Sequence, residues 1–161
     1  MAIEVRKIGK EHDSWARELI LSRYRDGISY GRGTAVNLLE AEKLVALDEK
    51  EPKALLCYTL GWSDMQIVAL EDAGGGEGAA RALIERAVQT AKDEESKVLT
   101  VALTNDNLEG MILYQLSGFR LSAVKRGSID EARRKNPDVP LKGKHGIPVR
   151  DEIELSIKLG G

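Results

Sequence analysis

Four glycines, Gly74, Gly75, Gly76 and Gly78, fall between a short apolar run and a segment of clear helical periodicity. Glycine permits a tight turn and lets the backbone approach a ligand closely, so several amides can converge on one anion. The first turn of the following helix, around Gly78 to Arg81, adds unpaired amides backed by the positive end of the helix dipole. This spacing predicts an anion-binding loop over Gly74 to Ala80. Arg81 stands in that first turn, where a positive side chain is mildly unfavourable unless an anion offsets it. Gly74, Gly76 and Ala79 also fit the dinucleotide fingerprint GxGxxG/A, so a dinucleotide is one alternative ligand. No Lys-Ser or Lys-Thr pair follows the glycines, which disfavours a P-loop.

The elements around the loop decide how it is presented. Ala80, Leu83, Ile84, Ala87, Val88 and Ala91 form one apolar stripe, which predicts an amphipathic helix. Upstream, Leu44 to Leu47, Ala54 to Leu60 and Met65 to Leu70 read as strands. Their connections are too short for a parallel crossover, so they form an antiparallel meander, unlike the opening of a dinucleotide-binding βαβ unit. Downstream come a strand over Val98 to Leu103, a helix over Leu108 to Leu116 that stops at Gly118, and a strand over Leu121 to Val124. A first strand over Ile3 to Ile8 and a last one through Ile153, Leu155, Ile157 and Leu159 alternate in the manner of half-buried strands.

Asp13 and Ser14 are available to cap a helix over Trp15 to Leu21. Tyr24 to Thr34 carries three glycines without a period and reads as a loop or broken helix. Ser128 and Glu131 have the spacing of a capping box for a short helix ending at Asn136 and Pro137. A long proline-punctuated loop then runs to Pro148.

The chain has 161 residues, 42% hydrophobic and 31% charged, with a formal net charge of -2. That length suits one domain over 1–161. No general positive field is present to neutralise a nucleic-acid backbone, and Arg133, Arg134 and Lys135 read as a solvated helix face. Cys57 is the only cysteine and sits in an apolar run, which fits a buried thiol in a reducing, cytoplasmic setting. No apolar run is long enough to span a bilayer, so no membrane partner is expected. Nor does any His, Cys and carboxylate cluster have metal-ligand spacing.

A meander leading into a glycine loop, then helix, strand, helix and strand, resembles the GCN5-related N-acetyltransferase (GNAT) family. The family's pyrophosphate motif, Q/R-x-x-G-x-G/A, falls on Gly75, Gly76, Glu77, Gly78, Ala79 and Ala80, with Gly75 replacing the usual Gln or Arg. Thr104-Asn105-Asp106-Asn107, then Tyr114 and Gly118-Phe119, resembles the family's N-x-x-A-x-x-F/L-Y-x-x-x-G-F segment, with Gly110 where alanine is usual. Asn107 and Tyr114 lie two helical turns apart, on roughly one face. The two motifs span Leu44 to Val124, about half the chain. The C-terminal stretch from Gly127 also looks like an ending found in a bacterial branch of these acetyltransferases.

The resemblance implies an α/β (α+β) fold with a mixed, mostly antiparallel central sheet of about six to seven strands flanked by helices. It implies acetyl-CoA as cosubstrate, bound where the strands Met65 to Leu70 and Val98 to Leu103 splay apart. Pantetheine would pair with the backbone near Val68 and Leu70, and the pyrophosphate would meet Gly75, Gly76, Gly78, Ala79, Ala80 and Arg81, with Asn107 nearby. Tyr114 is the candidate proton source for the departing thiolate, its phenol having an ordinary pKa of about 10. Glu71, at the end of its strand, is the candidate base, with Asp72 beside it as an alternative. The acceptor would be a small-molecule amine or a protein amino group, with Tyr30, Tyr58 and Trp62 as possible pocket residues. A homodimer through the sheet's terminal strands would suit this architecture. Two other functions stay open: an acyl-CoA sensor of the same fold without turnover, and a dinucleotide-binding α/β protein.

Overall fold

Alternation of Ile3 and Val5 with Glu4 and Arg6 produces β1 (Ile3–Lys7), the first element of a computed structural model that describes residues 2–160. Helix α1 (Asp13–Arg23) outruns its apolar positions at both ends. Asp13 therefore lies inside the first turn instead of capping it; His12 occupies the N-cap, and no side chain hydrogen-bonds there.

The segment expected as a loop contains a hairpin. After a 3-10 turn over Arg25–Gly27, β2 (Ile28–Gly31) pairs antiparallel with β3 (Thr34–Asn37). Arg32 and Gly33 make the turn at φ 55° and 74°, which gives the twist of a tight two-residue hairpin.

The meander is present as β4 (Glu42–Asp48), β5 (Glu51–Leu60) and β6 (Asp64–Asp72). Helix α2 (Gly76–Asp93) follows, then β7 (Val98–Thr104), α3 (Leu108–Leu116), β8 (Arg120–Lys125), α4 (Ser128–Lys135) and β9 (Glu152–Lys158). Gly118 ends α3 in the left-handed region at φ 97°, as expected. The capping box at Ser128 does not form. Gly127, at φ 74°, is the N-cap, which places Ser128 inside the helix with its hydroxyl donating to the Lys125 carbonyl.

Seven strands form one sheet in the order β1-β4-β5-β6-β7-β9-β8. Every neighbouring pair is antiparallel except β6 and β7, which the α2 crossover makes parallel. Helices α2 and α3 cover one face, where Leu83, Ile84 and Ala87 of α2 are fully buried against Leu56, Met65 and Leu99 of the sheet. Truncating Leu83 to alanine there would cost about 2–5 kcal/mol. Helix α1 covers the other face through Ala16 and Ile20, packed with Leu55, Cys57 and Ala69. Cys57 is buried as expected, and burial pushes its thiol up to about 12.

Arg133 corrects the reading of its cluster as a solvated face. Its guanidinium donates to the carbonyls of Val139, Pro140 and Val149 and pairs with Asp130 at 2.8 Å, so α4 holds the long loop that follows it.

Candidate functional site

β6 and β7 hydrogen-bond only from Asp64↔Val98 to Ile67↔Val101. Beyond that point both strands continue, β6 to Asp72 and β7 to Thr104, without pairing to each other. A bulge helps to open them. Cys57 faces Ala69 and Tyr58 faces Ile67, so Val68 is one residue in excess on β6. The extra residue reverses the alternation: Met65 and Ile67 face α2, whereas Ala69 joins the core beneath α1. Val68 and Leu70 thus line a cleft of about 650 Å³ between the diverging strands. The Val68 carbonyl accepts a hydrogen bond of 3.3 Å from the Ser29 hydroxyl.

At one end of the cleft the glycine loop enters α2. Of the four amides that open this helix, Gly75 to Gly78, two are already engaged. Asp72 Oδ1 accepts from both Gly75 and Gly76 at 2.8 Å, and the Gly75 amide also approaches the Lys53 carbonyl at 3.2 Å. Asp72 Oδ1 therefore caps the helix. The amides of Glu77 and Gly78 have no acceptor among the described residues, and a Cβ at Gly76 or Gly78 would meet nothing within 4 Å. Arg81 has no hydrogen-bond or ion-pair partner among the described residues. Ala80 lines the cleft.

Two loop residues do other work. Ala79 is fully buried in the core, so its side chain meets no ligand. Gly75 is buried, and a Cβ there would stand 2.5 Å from Ala79 Cβ and 3.2 Å from the Lys53 carbonyl oxygen. That close packing explains why no Gln or Arg stands at this position.

Across the cleft, Asn107 caps α3, its Oδ1 accepting from the Gly110 amide at 3.0 Å, while its Nδ2 has no partner among the described residues. A Cβ at Gly110 would lie 2.9 Å from that side-chain amide, so alanine at 110 would press on the cap. Tyr114, two turns on, is 2% exposed and stacks edge-on against Phe119 at 5.2 Å. Its hydroxyl has no hydrogen-bond partner among the described residues yet is not sealed, so it opens onto the cleft. Burial, and then the charge of Glu71, push its pKa well above the ordinary phenol value. The phenol is a weaker acid than its type alone predicts, but it holds its proton.

Glu71, the penultimate residue of β6 and still paired with Leu55 of β5, turns its side chain to the α1 side. Its Oε1 accepts from the Tyr24 hydroxyl at 2.6 Å and its Oε2 pairs with Arg23 at 2.7 Å. Burial and this carboxylate raise the pKa of Tyr24. Of the aromatic candidates for the pocket, Tyr30 lines the cleft, Tyr58 is buried in the core and Trp62 is fully exposed on the β5–β6 turn.

No family model matches the chain. Two relatives in Bacillus subtilis (strain 168), both described as uncharacterized, do. YdhI is 30% identical over 118 residues, 73% of this chain and 74% of its own, and YxbD is 29% identical over 108 residues, 67% and 68%. Solved structures superpose over nearly the whole length. An acetyltransferase from B. subtilis in complex with CoA gives a TM-score of 0.77 at 18% identity over 98% of this chain and 99% of that one. A GNAT family acetyltransferase from Elizabethkingia anophelis with acetyl-CoA bound gives 0.74 at 18% identity over 98% of both chains. An IAA acetyltransferase from Bacillus cereus gives 0.74 at 21% identity over 98% of this chain and 100% of that one. This chain is a GNAT-fold protein of the YdhI family. The superposition spans 98% of the chain, so it takes in the β6–β7 pair and the elements on either side of it.

Sequence reading of this GNAT-fold chain missed Arg23 and Tyr24, which hold Glu71, and Lys53, which closes on Gly75. The spacing from Asp72 to Gly75 and Gly76 was a usable local signal, since a carboxylate three or four residues before free helix amides is placed to cap them.

Proposed function

We propose that the protein is an acetyl-CoA-dependent N-acetyltransferase that moves an acetyl group directly to an amine. The observation that carries this reading is the opening of β6 from β7 after Ile67 and Val101, lined by Tyr114, whose hydroxyl has no partner among the described residues, and reaching Asp72 and Ala80 on either side of the glycine loop. The residues present fit coenzyme A: an open glycine cradle, an Arg81 and an Asn107 Nδ2 without partners among the described residues, and two facing strand edges that do not pair with each other beyond Ile67 and Val101. Val68 and Leu70 supply one of those edges.

Acetyl-CoA, when bound, supplies an activated thioester. The remaining chemistry falls to the chain. Glu71, its position fixed by Arg23 and Tyr24, still has lone pairs to take the proton released as the amine nitrogen bonds to the acetyl carbon, directly or through a water. Tyr114 delivers its proton to the sulfur as the carbon–sulfur bond breaks. Holding both partners in one cleft removes much of the entropic part of the barrier.

The decisive measurement is thiol release from acetyl-CoA across an amine library, alongside thermal shifts with acetyl-CoA, CoA and NAD. Stabilisation by CoA and amine-dependent thiol release are expected. Stabilisation by CoA without turnover would mean an acyl-CoA sensor, and stabilisation by NAD alone would mean a dinucleotide site.

A further inference from the structure

The cleft does not end at the opening in the sheet. It continues between β2 on one side and α4 with the loop after it on the other, with walls formed by Ile28, Tyr30, Ile129, Ala132, Val139 and Pro140. These walls are chiefly hydrocarbon and aromatic ring. They are also tied together: Arg25, next to Tyr24, forms an ion pair with Asp138, next to Val139. The second wall is itself anchored, because Arg133 binds the Val139 and Pro140 carbonyls. This exposed ion pair bridges the two walls at the surface, where it stands across the path of an extended peptide laid along this end.

Charge points the same way. Arg23 and Glu71 neutralise each other, as do Arg25 and Asp138, and Glu109 is held by His145 at 2.6 Å. Lys144, also on the lining, has no hydrogen-bond or ion-pair partner for its ammonium among the described residues. The lining carboxylates without a lysine or arginine partner among the described residues, Asp72 at the α2 cap and Glu109 beside His145, are not among the six apolar wall residues. A second positive charge placed against those walls would therefore find no carboxylate on them to offset its desolvation.

We infer that the acceptor is a small primary amine with a single positive charge and a compact apolar or aromatic body, rather than a polyamine or a polypeptide amino terminus. The inference rests on the acetyltransferase reading and narrows it.

The test compares initial rates of thiol release from acetyl-CoA with isoamylamine, phenethylamine, spermidine and a short peptide with a free amino terminus, using the full chain at one pH. Thermal shift with acetyl-CoA is recorded in parallel. The two monoamines are expected to exceed spermidine and the peptide by about tenfold or more in kcat/KM. Asp138→Ala, on an exposed loop, is expected to raise the peptide's relative rate by removing that bridge, with acetyl-CoA protection unchanged. Acetyl-CoA protection with spermidine or the peptide equal or superior, or with no turnover of either monoamine, overturns the inference and leaves the cosubstrate reading intact. Loss of both acetyl-CoA protection and thiol release defeats the acetyltransferase reading itself.

Discussion

Asp72 Oδ1 lies 2.8 Å from the amide nitrogen of Gly76, so a carboxylate of the chain itself occupies part of the positive end of α2. It stabilises the loop and, on the acetyl-CoA reading, would compete with the pyrophosphate for the same field. Asp72→Asn keeps an acceptor for the amides and removes the charge. The variant is expected to lose about 0.3–1 kcal/mol of folding stability and to bind CoA severalfold more tightly, most visibly at low salt. Urea denaturation and calorimetric titration at two ionic strengths would check both halves; weaker CoA binding would show that Asp72 aids the site.

Gly75 is the counterpart on the packed side of the loop. Replacing it with Gln, the residue usual in the family motif, forces a Cβ against Ala79 and the Lys53 carbonyl, neither of which is a flexible side-chain end. Gly75→Gln is expected to destabilise the fold by about 1–3 kcal/mol without improving CoA affinity. A variant of undiminished stability with tighter binding would show that the loop can relax.

Alkaline pH probes the core. The buried Cys57 thiol is pushed up to about 12 from 9.0, and burial raises Tyr24, Tyr58 and Tyr114 as well. Above pH 9 the unfolded chain releases the thiol proton while the native state keeps it, so the unfolded state binds fewer protons and stability falls as pH rises. Each such group withdraws about 1.4 kcal/mol per pH unit until its folded pKa is reached. Denaturation between pH 8 and 11 should show that decline, and Cys57→Ala should make it shallower. An unchanged slope would place the loss on other groups.

Sequence was most informative where the cause of structure is local. Helix α3 runs over Leu108–Leu116 as read, because its apolar pattern and Gly118 act within a few residues. The meander was legible because short connections admit only antiparallel neighbours. The β2–β3 hairpin was hidden because its turn uses Arg32 at positive φ, and the Arg32 amide is held by Glu152, 120 residues away. No local signal inserts β9 between β7 and β8 either. At the site, the glycine loop and Tyr114 were visible as motifs. The setting of Glu71 was not, because Arg23 and Tyr24 reach it from 48 and 47 residues upstream through the packing of α1.

Arg133 offers a test of the pocket's outer wall. Its guanidinium meets three carbonyls at once, a geometry that a lysine ammonium cannot reproduce. Arg133→Ala is expected to cost about 1–3 kcal/mol and to speed hydrogen exchange across residues 139–149, with Arg133→Lys recovering little. Exchange unchanged in that segment would mean that the loop is held by other contacts, such as the Lys144 amide on Asp106 at 2.9 Å.

The sharpest test of the chemistry is Tyr114→Phe. The hydroxyl has no hydrogen-bond partner among the described residues, while the ring keeps its packing against Phe119, so the substitution removes a proton donor with little structural change. If the phenol protonates the leaving sulfur, kcat should fall by about 10²-fold while CoA affinity stays within about twofold. Because burial and Glu71 keep the phenol protonated, the wild-type rate should show no loss from tyrosine ionisation up to about pH 10. A fall in CoA affinity without a fall in kcat would assign Tyr114 to binding, and unchanged kinetics would take it out of the mechanism.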